Sequence, residues 1–250
     1  MKRSLFVLVC LLASTLLMAR DIRYAFLGDS NTWNGGVNCQ NEESWCYWFL
    51  RGMQPAEGYN LSRSGATWTN TTETLRAPHD STAVLSPQNV IFNQVVRLLR
   101  KVQLKQLSEP DVIIIMAGTN DAWFEQKRPG MWDMTVEEAF AISSDELMKR
   151  EPGEITSLAL SIRYAVETLQ RAFPLADIVL LTPLPTTKAP REKLLRVCEV
   201  IDGCGLSVGL PVIHLENETV ETKDGVHTTP VGARRLGQKL SSIITRYGVR

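Results

Sequence analysis

Charge of either sign in excess is missing from this sequence: 27 lysines and arginines are matched by 27 aspartates and glutamates. With no basic field to attract a phosphate backbone, charge argues against a nucleic-acid partner. Histidine is scarce, at three in the whole chain, and no two of the five cysteines have the two-residue gap of a zinc knuckle. Both scarcities argue against a metal site, and none is expected. Repeats, low-complexity tracts and internal linkers are also missing, which excludes solenoid and multi-module arrangements. What remains is 250 residues of ordinary globular composition, enough for one compact domain with a sizeable core.

The one long apolar run lies at the start. Lys2 and Arg3 precede the stretch Leu5 to Leu17, and Met18-Ala19 precede the polar Arg20-Asp21. This is the pattern of a signal peptide over residues 1–19, cut after Ala19, with the functional domain over 20–250. The run is short for a membrane span, so no stable membrane insertion is expected and the protein is expected to be exported. A lipid anchor on Cys10 is the weaker reading. With Cys10 removed, four cysteines remain in two close pairs, Cys39/Cys46 and Cys198/Cys204. In an oxidising compartment the economical expectation is one local bridge within each pair, with free buried thiols as the alternative.

Short apolar runs alternate with helical patterns along the rest of the chain. Candidate strands are Ile22 to Leu27, Tyr59 to Leu61, Asp111 to Ala117, Asp177 to Thr182 and Pro211 to Leu215. The third is a continuous β-branched run, as a parallel strand covered on both faces requires. Helical spacing recurs at Ile91, Val95, Leu98, Leu99 and Val102, with Pro110 as the stop, and again from Ile155 to Phe173 before Pro174. A last helix begins at Thr229-Pro230, a capping residue followed by a first-turn proline. Such alternation predicts a parallel sheet between helical layers, with the functional crevice at the carboxyl ends of the strands.

Small polar clusters stand where those strands end. They are Gly28-Asp29-Ser30-Asn31-Thr32, Ser62-Arg63-Ser64-Gly65, Gly118-Thr119-Asn120-Asp121 and, near the C-terminus, Asp224-Gly225-Val226-His227. Their chemistry is complementary. A serine hydroxyl becomes a useful nucleophile when a histidine takes its proton, and the histidine needs a carboxylate to hold its tautomer. Asp224, three residues before His227, suits that role. The amides of Ser30 and Gly65 and the carboxamide of Asn120 can donate to a developing oxyanion. Asp29 reads as a structural acceptor of loop amides and Asp121 as a helix cap, while His214 and His79 read as structural or solvated.

These clusters, in this order, resemble those of the SGNH or GDSL hydrolases over about Ile22 to Tyr247. The resemblance implies a three-layer α/β/α sandwich, flavodoxin-like, with a central parallel sheet of about five strands, and hydrolysis of esters or thioesters without a cofactor. It implies Ser30 as nucleophile, Ser30, Gly65 and Asn120 as oxyanion donors, and Asp224 and His227 as the rest of a catalytic triad. Two positions depart from the family pattern: Asn31 stands where leucine is common, and Ser62 where asparagine is common. Both departures bear on substrate class rather than on mechanism.

Trp33, Trp68 and Trp123 each lie three residues after a proposed oxyanion donor. All three are therefore expected at the rim of one crevice as substrate-binding residues, where indoles stack on sugar rings or line acyl pockets. The loop from Asn34 to Cys46 should shape the entrance. The stretch from Phe124 to Pro152 is longer than a simple connection and reads as a lid or specificity insertion, or equally as a structural excursion. Three functions are compatible with this reading: a carbohydrate esterase removing acetyl or similar short acyl groups from a small-molecule or glycan ester, a lipid-directed esterase such as a lysophospholipase or thioesterase, and a non-catalytic glycan-binding protein. The intact set of Ser30, Asn120, Asp224 and His227 disfavours the last.

Overall fold

In the computed structural model, residues 22–246 are described, apart from 35, 37 and 79–82. The expected leader, Cys10 and His79 lie outside the described residues. Five strands make the sheet: β1 (Arg23–Gly28), β2 (Glu57–Asn60), β3 (Val112–Met116), β4 (Asp177–Leu181) and β5 (Val212–Ile213). All pairings are parallel, in the order β2-β1-β3-β4-β5. That is the flavodoxin-like order, whose switch point lies between β1 and β3.

The alternation of side chains along each strand builds two cores, one on each face. Tyr24, Phe26, Val112, Ile114, Met116, Val179 and Leu181 pack against α2 (Trp45–Met53) and α9 (Pro230–Arg246). Ala25, Leu27, Ile113, Ile115, Ile178 and Leu180 face the other way, onto α3 (Ile91–Gln103), α7 (Leu158–Ala172) and α8 (Arg191–Ser207). The architecture is therefore the expected α/β/α sandwich. On the first face Phe26 meets Trp45 and Phe49 edge-on, with ring centroids 5.3 and 5.7 Å away. Gly237 lets α9 lie against α2, because a Cβ there would come within 2.8 Å of the Phe49 amide nitrogen.

Some expectations need adjustment. Helix α3 ends at Gln103, well before Pro110, because Lys105 turns into a left-handed conformation with φ 57°. Strand β5 keeps two residues of the five expected. Helices α2 and α8 were not foreseen: the first is half aromatic, and the second has Gly203 and Gly205 within it.

The expected disulfides are not formed, and Cys39, Cys46, Cys198 and Cys204 are free, buried thiols. For the second pair the reason is geometric. Both residues lie on α8, six positions apart, which separates them by roughly 9 Å along the axis and turns them to different faces. A disulfide needs Cα atoms closer than about 7 Å. Cys46, on α2, packs in the core beside the Cys39 thiol and 3.9 Å from the Thr32 carbonyl.

The stretch from 124 to 152 holds α5 (Val136–Ala141) and α6 (Ser144–Leu147) and is fastened to the domain. Met131, Ala139 and Leu147 are buried in the second core. Buried Arg163 of α7 donates to the carbonyls of Ala139 (2.5 Å) and Ile142 (2.7 Å), and Arg196 of α8 lies 3.8 Å over the Trp132 ring. The segment is clamped to the domain rather than hinged over it.

Candidate active site

Strand β1 delivers Ser30 to the sheet's carboxyl end. Gly28, at φ 153°, ends the strand where a Cβ would overlap the Met116 carbonyl. Gln94 of α3 clasps it from below, accepting from the Gly28 amide and donating to its carbonyl, both at 2.8 Å. Asp29 then caps the short helix α1 (Ser30–Trp33), its carboxylate accepting from the Asn31 amide at 3.0 Å. Burial pushes Asp29 up to about 6, against the opposing pull of the Asn31 amide, the Thr119 hydroxyl and the His227 ring. Ser30 sits at the first helical position with 7% of its surface exposed.

The partner loop arrives from the other end of the chain. His227 Nε2 lies 2.9 Å from Ser30 Oγ, and His227 Nδ1 lies 2.6 Å from Asp224 Oδ2. The other carboxylate oxygen of Asp224 accepts the amides of Val226 (3.0 Å) and His227 (2.7 Å), so a tight turn fixes the acid beneath the ring. Desolvation pulls Asp224 upward, but the ring and the two amides outweigh it and hold the carboxyl well below the usual carboxylate range. An ionised Asp224 accepts from Nδ1–H, which leaves Nε2 to accept from the serine hydroxyl. Gly225, at φ 84°, makes the turn possible, and its carbonyl takes hydrogen bonds from the Thr187 amide and the Thr186 hydroxyl.

The proposed donors come from two further loops. Gly65 has φ 75°, a conformation that favours glycine. Among the described residues, neither its amide nor that of Ser30 has a hydrogen-bond partner. Asn120 stands in the first turn of α4 (Thr119–Trp123), which begins after Gly118 at φ 125°. Its Nδ2 donates to the Ala66 carbonyl at 2.9 Å, which ties β3's loop to the Gly65 loop.

Asp121 proves to be a brace rather than a helix cap. Wholly buried, it accepts from the amides of Trp68 (3.0 Å) and Thr69 (2.9 Å) and from the Thr69 hydroxyl (2.7 Å). Burial pushes its carboxyl up, and those three donors together with nearby Arg128 oppose the shift. Sequence reading missed Gln94 and this use of Asp121, because neither lies next to its partners in the chain. Asn60 was missed too: it donates to the Thr32 carbonyl at 2.8 Å and accepts from the amide and hydroxyl of Ser62, the position departing from the family pattern. His214, set between Asp202 and Glu216, takes no part.

The expected tryptophan collar loses Trp68. Trp68 is fully buried, its indole N–H donating to the Ala117 carbonyl at 3.2 Å, because the loop folds its largest apolar side chain into the core. Trp33 is 40% exposed at the end of α1, and Trp123 is half-buried and stacked on Phe124.

Comparison with known proteins places the fold and the family. A search of curated proteins finds no match. Among solved structures, an aryl esterase of M. smegmatis superposes with a TM-score of 0.54 at 17% identity, covering 90% of this chain and 99% of that one. A possible lipase from Chitinophaga pinensis superposes with a TM-score of 0.56 at 13% identity, covering 92% and 100%. At these identities the likeness speaks for the fold. The profile of the GDSL-like Lipase/Acylhydrolase family matches residues 26–235, most of the chain, and so the protein belongs to that family of ester hydrolases.

Proposed function

We propose that the protein is a serine esterase that works through an acyl-enzyme and removes short acyl groups, acetyl above all, from carbohydrate. The observation that carries the mechanism is the continuous hydrogen-bonded path Ser30–His227–Asp224 beside unengaged amides. Ser30 Oγ attacks the ester carbonyl carbon while its proton passes to His227 Nε2, and Asp224 stabilises the imidazolium. The amides of Ser30 and Gly65 and the Asn120 carboxamide receive the oxyanion. Collapse breaks the bond to the alcohol, which leaves with the proton from His227. Water then repeats the sequence on the acyl-serine and restores the enzyme.

Two features support a sugar rather than a lipid alcohol. An exposed indole, Trp33, stands one helical turn from Ser30. Of the other exposed large apolar residues, Val84 lies against Gly65, and one aliphatic side chain there is small beside the surface a long acyl chain would cover. The leader pattern of residues 1–19 supports export of the domain from residue 20 onward.

A chain-length series of nitrophenyl esters, followed by acetylated glycans, tests the reading. Acetate should be the best acyl group, and Ser30→Ala or His227→Ala should lose on the order of 10⁴–10⁶ in turnover. Preference for long acyl chains would redirect the assignment to lipids. Ser30→Ala protein with most of its activity left would remove the mechanism.

A further inference from the structure

A cavity of about 690 Å³ opens beside the Gly65 loop, within the size range of small-ligand pockets. One wall is the continuation of that loop, beginning at Asn70. Five residues of chain span at most roughly 17 Å, so this wall lies within that reach of Gly65. The opposite wall is Lys127 to Gly130, at the start of the clamped segment. The two walls are held together, because Arg128 donates to the Thr67 hydroxyl from Nε (3.4 Å) and Nη2 (3.3 Å). The cavity is therefore built into the same framework that carries the oxyanion donors.

Its lining selects a class of ligand. Leu85, Pro87 and Pro129 supply apolar surface, and Thr71, Thr72 and Thr156 supply hydroxyls around it. Glu73 and Asp133 are exposed acids, and exposed Lys127 is a base. The guanidinium of Arg128 is buried, with its donors directed to Thr67 and the Lys127 carbonyl. An anionic ligand would meet Glu73 and Asp133, and a bare hydrocarbon chain would cover the threonine hydroxyls without offering them a partner. A neutral chain of hydroxyls with apolar ring faces meets donors, acceptors and apolar surface together.

We infer that this cavity is a distal subsite for a neutral oligosaccharide, holding sugar units beyond the one whose ester is cut. The inference rests on the carbohydrate-ester reading above and extends it to the part of the substrate that Ser30 never touches.

Calorimetric titration of Ser30→Ala protein with hexagalacturonate as an anionic control, and with the neutral sugars cellohexaose, xylohexaose and chitohexaose, tests it without turnover. At least one of the neutral sugars should bind, and Glu73→Ala/Asp133→Ala in the same background should weaken that binding about tenfold or more. Both acids are exposed, so the fold should survive, and in otherwise wild-type protein the double variant should leave hydrolysis of nitrophenyl acetate unchanged. Lys127→Ala provides a second test of the opposite wall, with the same expected direction. No binding of any of the three neutral sugars, equal binding to both backgrounds, or binding of hexagalacturonate alone would overturn the subsite. Should an unmodified sugar bind as expected while acetylated sugars resist hydrolysis, the subsite stands and the proposed reaction fails.

Discussion

The carboxamide of Asn120 has two N–H bonds, and the Ala66 carbonyl takes one of them. The other is available to an oxyanion that exists only in the transition state. Asn120→Ala should therefore lower kcat for nitrophenyl acetate by roughly 10²–10³ while KM stays within about twofold. A rise in KM with kcat intact would show that Asn120 only holds the loop.

Asp29 offers a second residue-scale test, of stability. Its folded value of about 6 lies above the ordinary 3.8, so the neutral acid is the form the folded protein favours. This contribution is fully present below about pH 4 and is lost as pH rises through about 6. Asp29→Asn keeps an oxygen to accept from the Asn31 amide but cannot ionise. In urea unfolding, the variant should gain on the wild type by up to about 3 kcal/mol between pH 4 and pH 7. A difference that stays constant over that range would contradict the buried acid.

Among elements, α9 approaches α2 closely at one glycine. Gly237 faces the backbone of Trp45 and Phe49, and an added methyl must push the helices apart. Gly237→Ala should cost roughly 1–3 kcal/mol, measured by chemical denaturation. Helix α8 gives another expectation. Burial pushes Cys198 and Cys204 each up to about 12, so neither is a ready thiolate. After exposure to oxidant, both should still alkylate once the protein is unfolded, as read by mass spectrometry. A cross-linked Cys198–Cys204 species would contradict the helix.

At the scale of the whole molecule, balanced charge leaves no strong field over the protein. Hydrolysis of a neutral ester should then change by less than about twofold in kcat/KM between low and high salt. A steep salt dependence would point to local steering that the net charge hides.

Much of this architecture was legible in the residues themselves. The β-branched run ending in Gly118-Thr119-Asn120-Asp121 announced both a buried parallel strand and a cluster at its end, because strand period and turn chemistry are local properties. The short spacing of Asp224 and His227 likewise favours their contact, which the turn at Gly225 completes by setting the acid under the ring. Other features depended on chain folded back from far away. Gln94 clasps Gly28 across 66 residues, Asp121 braces Thr69 across 52, and the loop around Trp68 turns its indole inward to fill the core. Cysteine pairing went the same way in part: helix geometry keeps Cys198 and Cys204 apart, while Cys39 and Cys46 stand as neighbouring buried thiols. Short-range chemistry could be read from the sequence because neighbouring atoms are constrained by the backbone alone. Which side chains face the crevice, and which disappear beneath it, was decided by the competition of all buried surfaces for one interior.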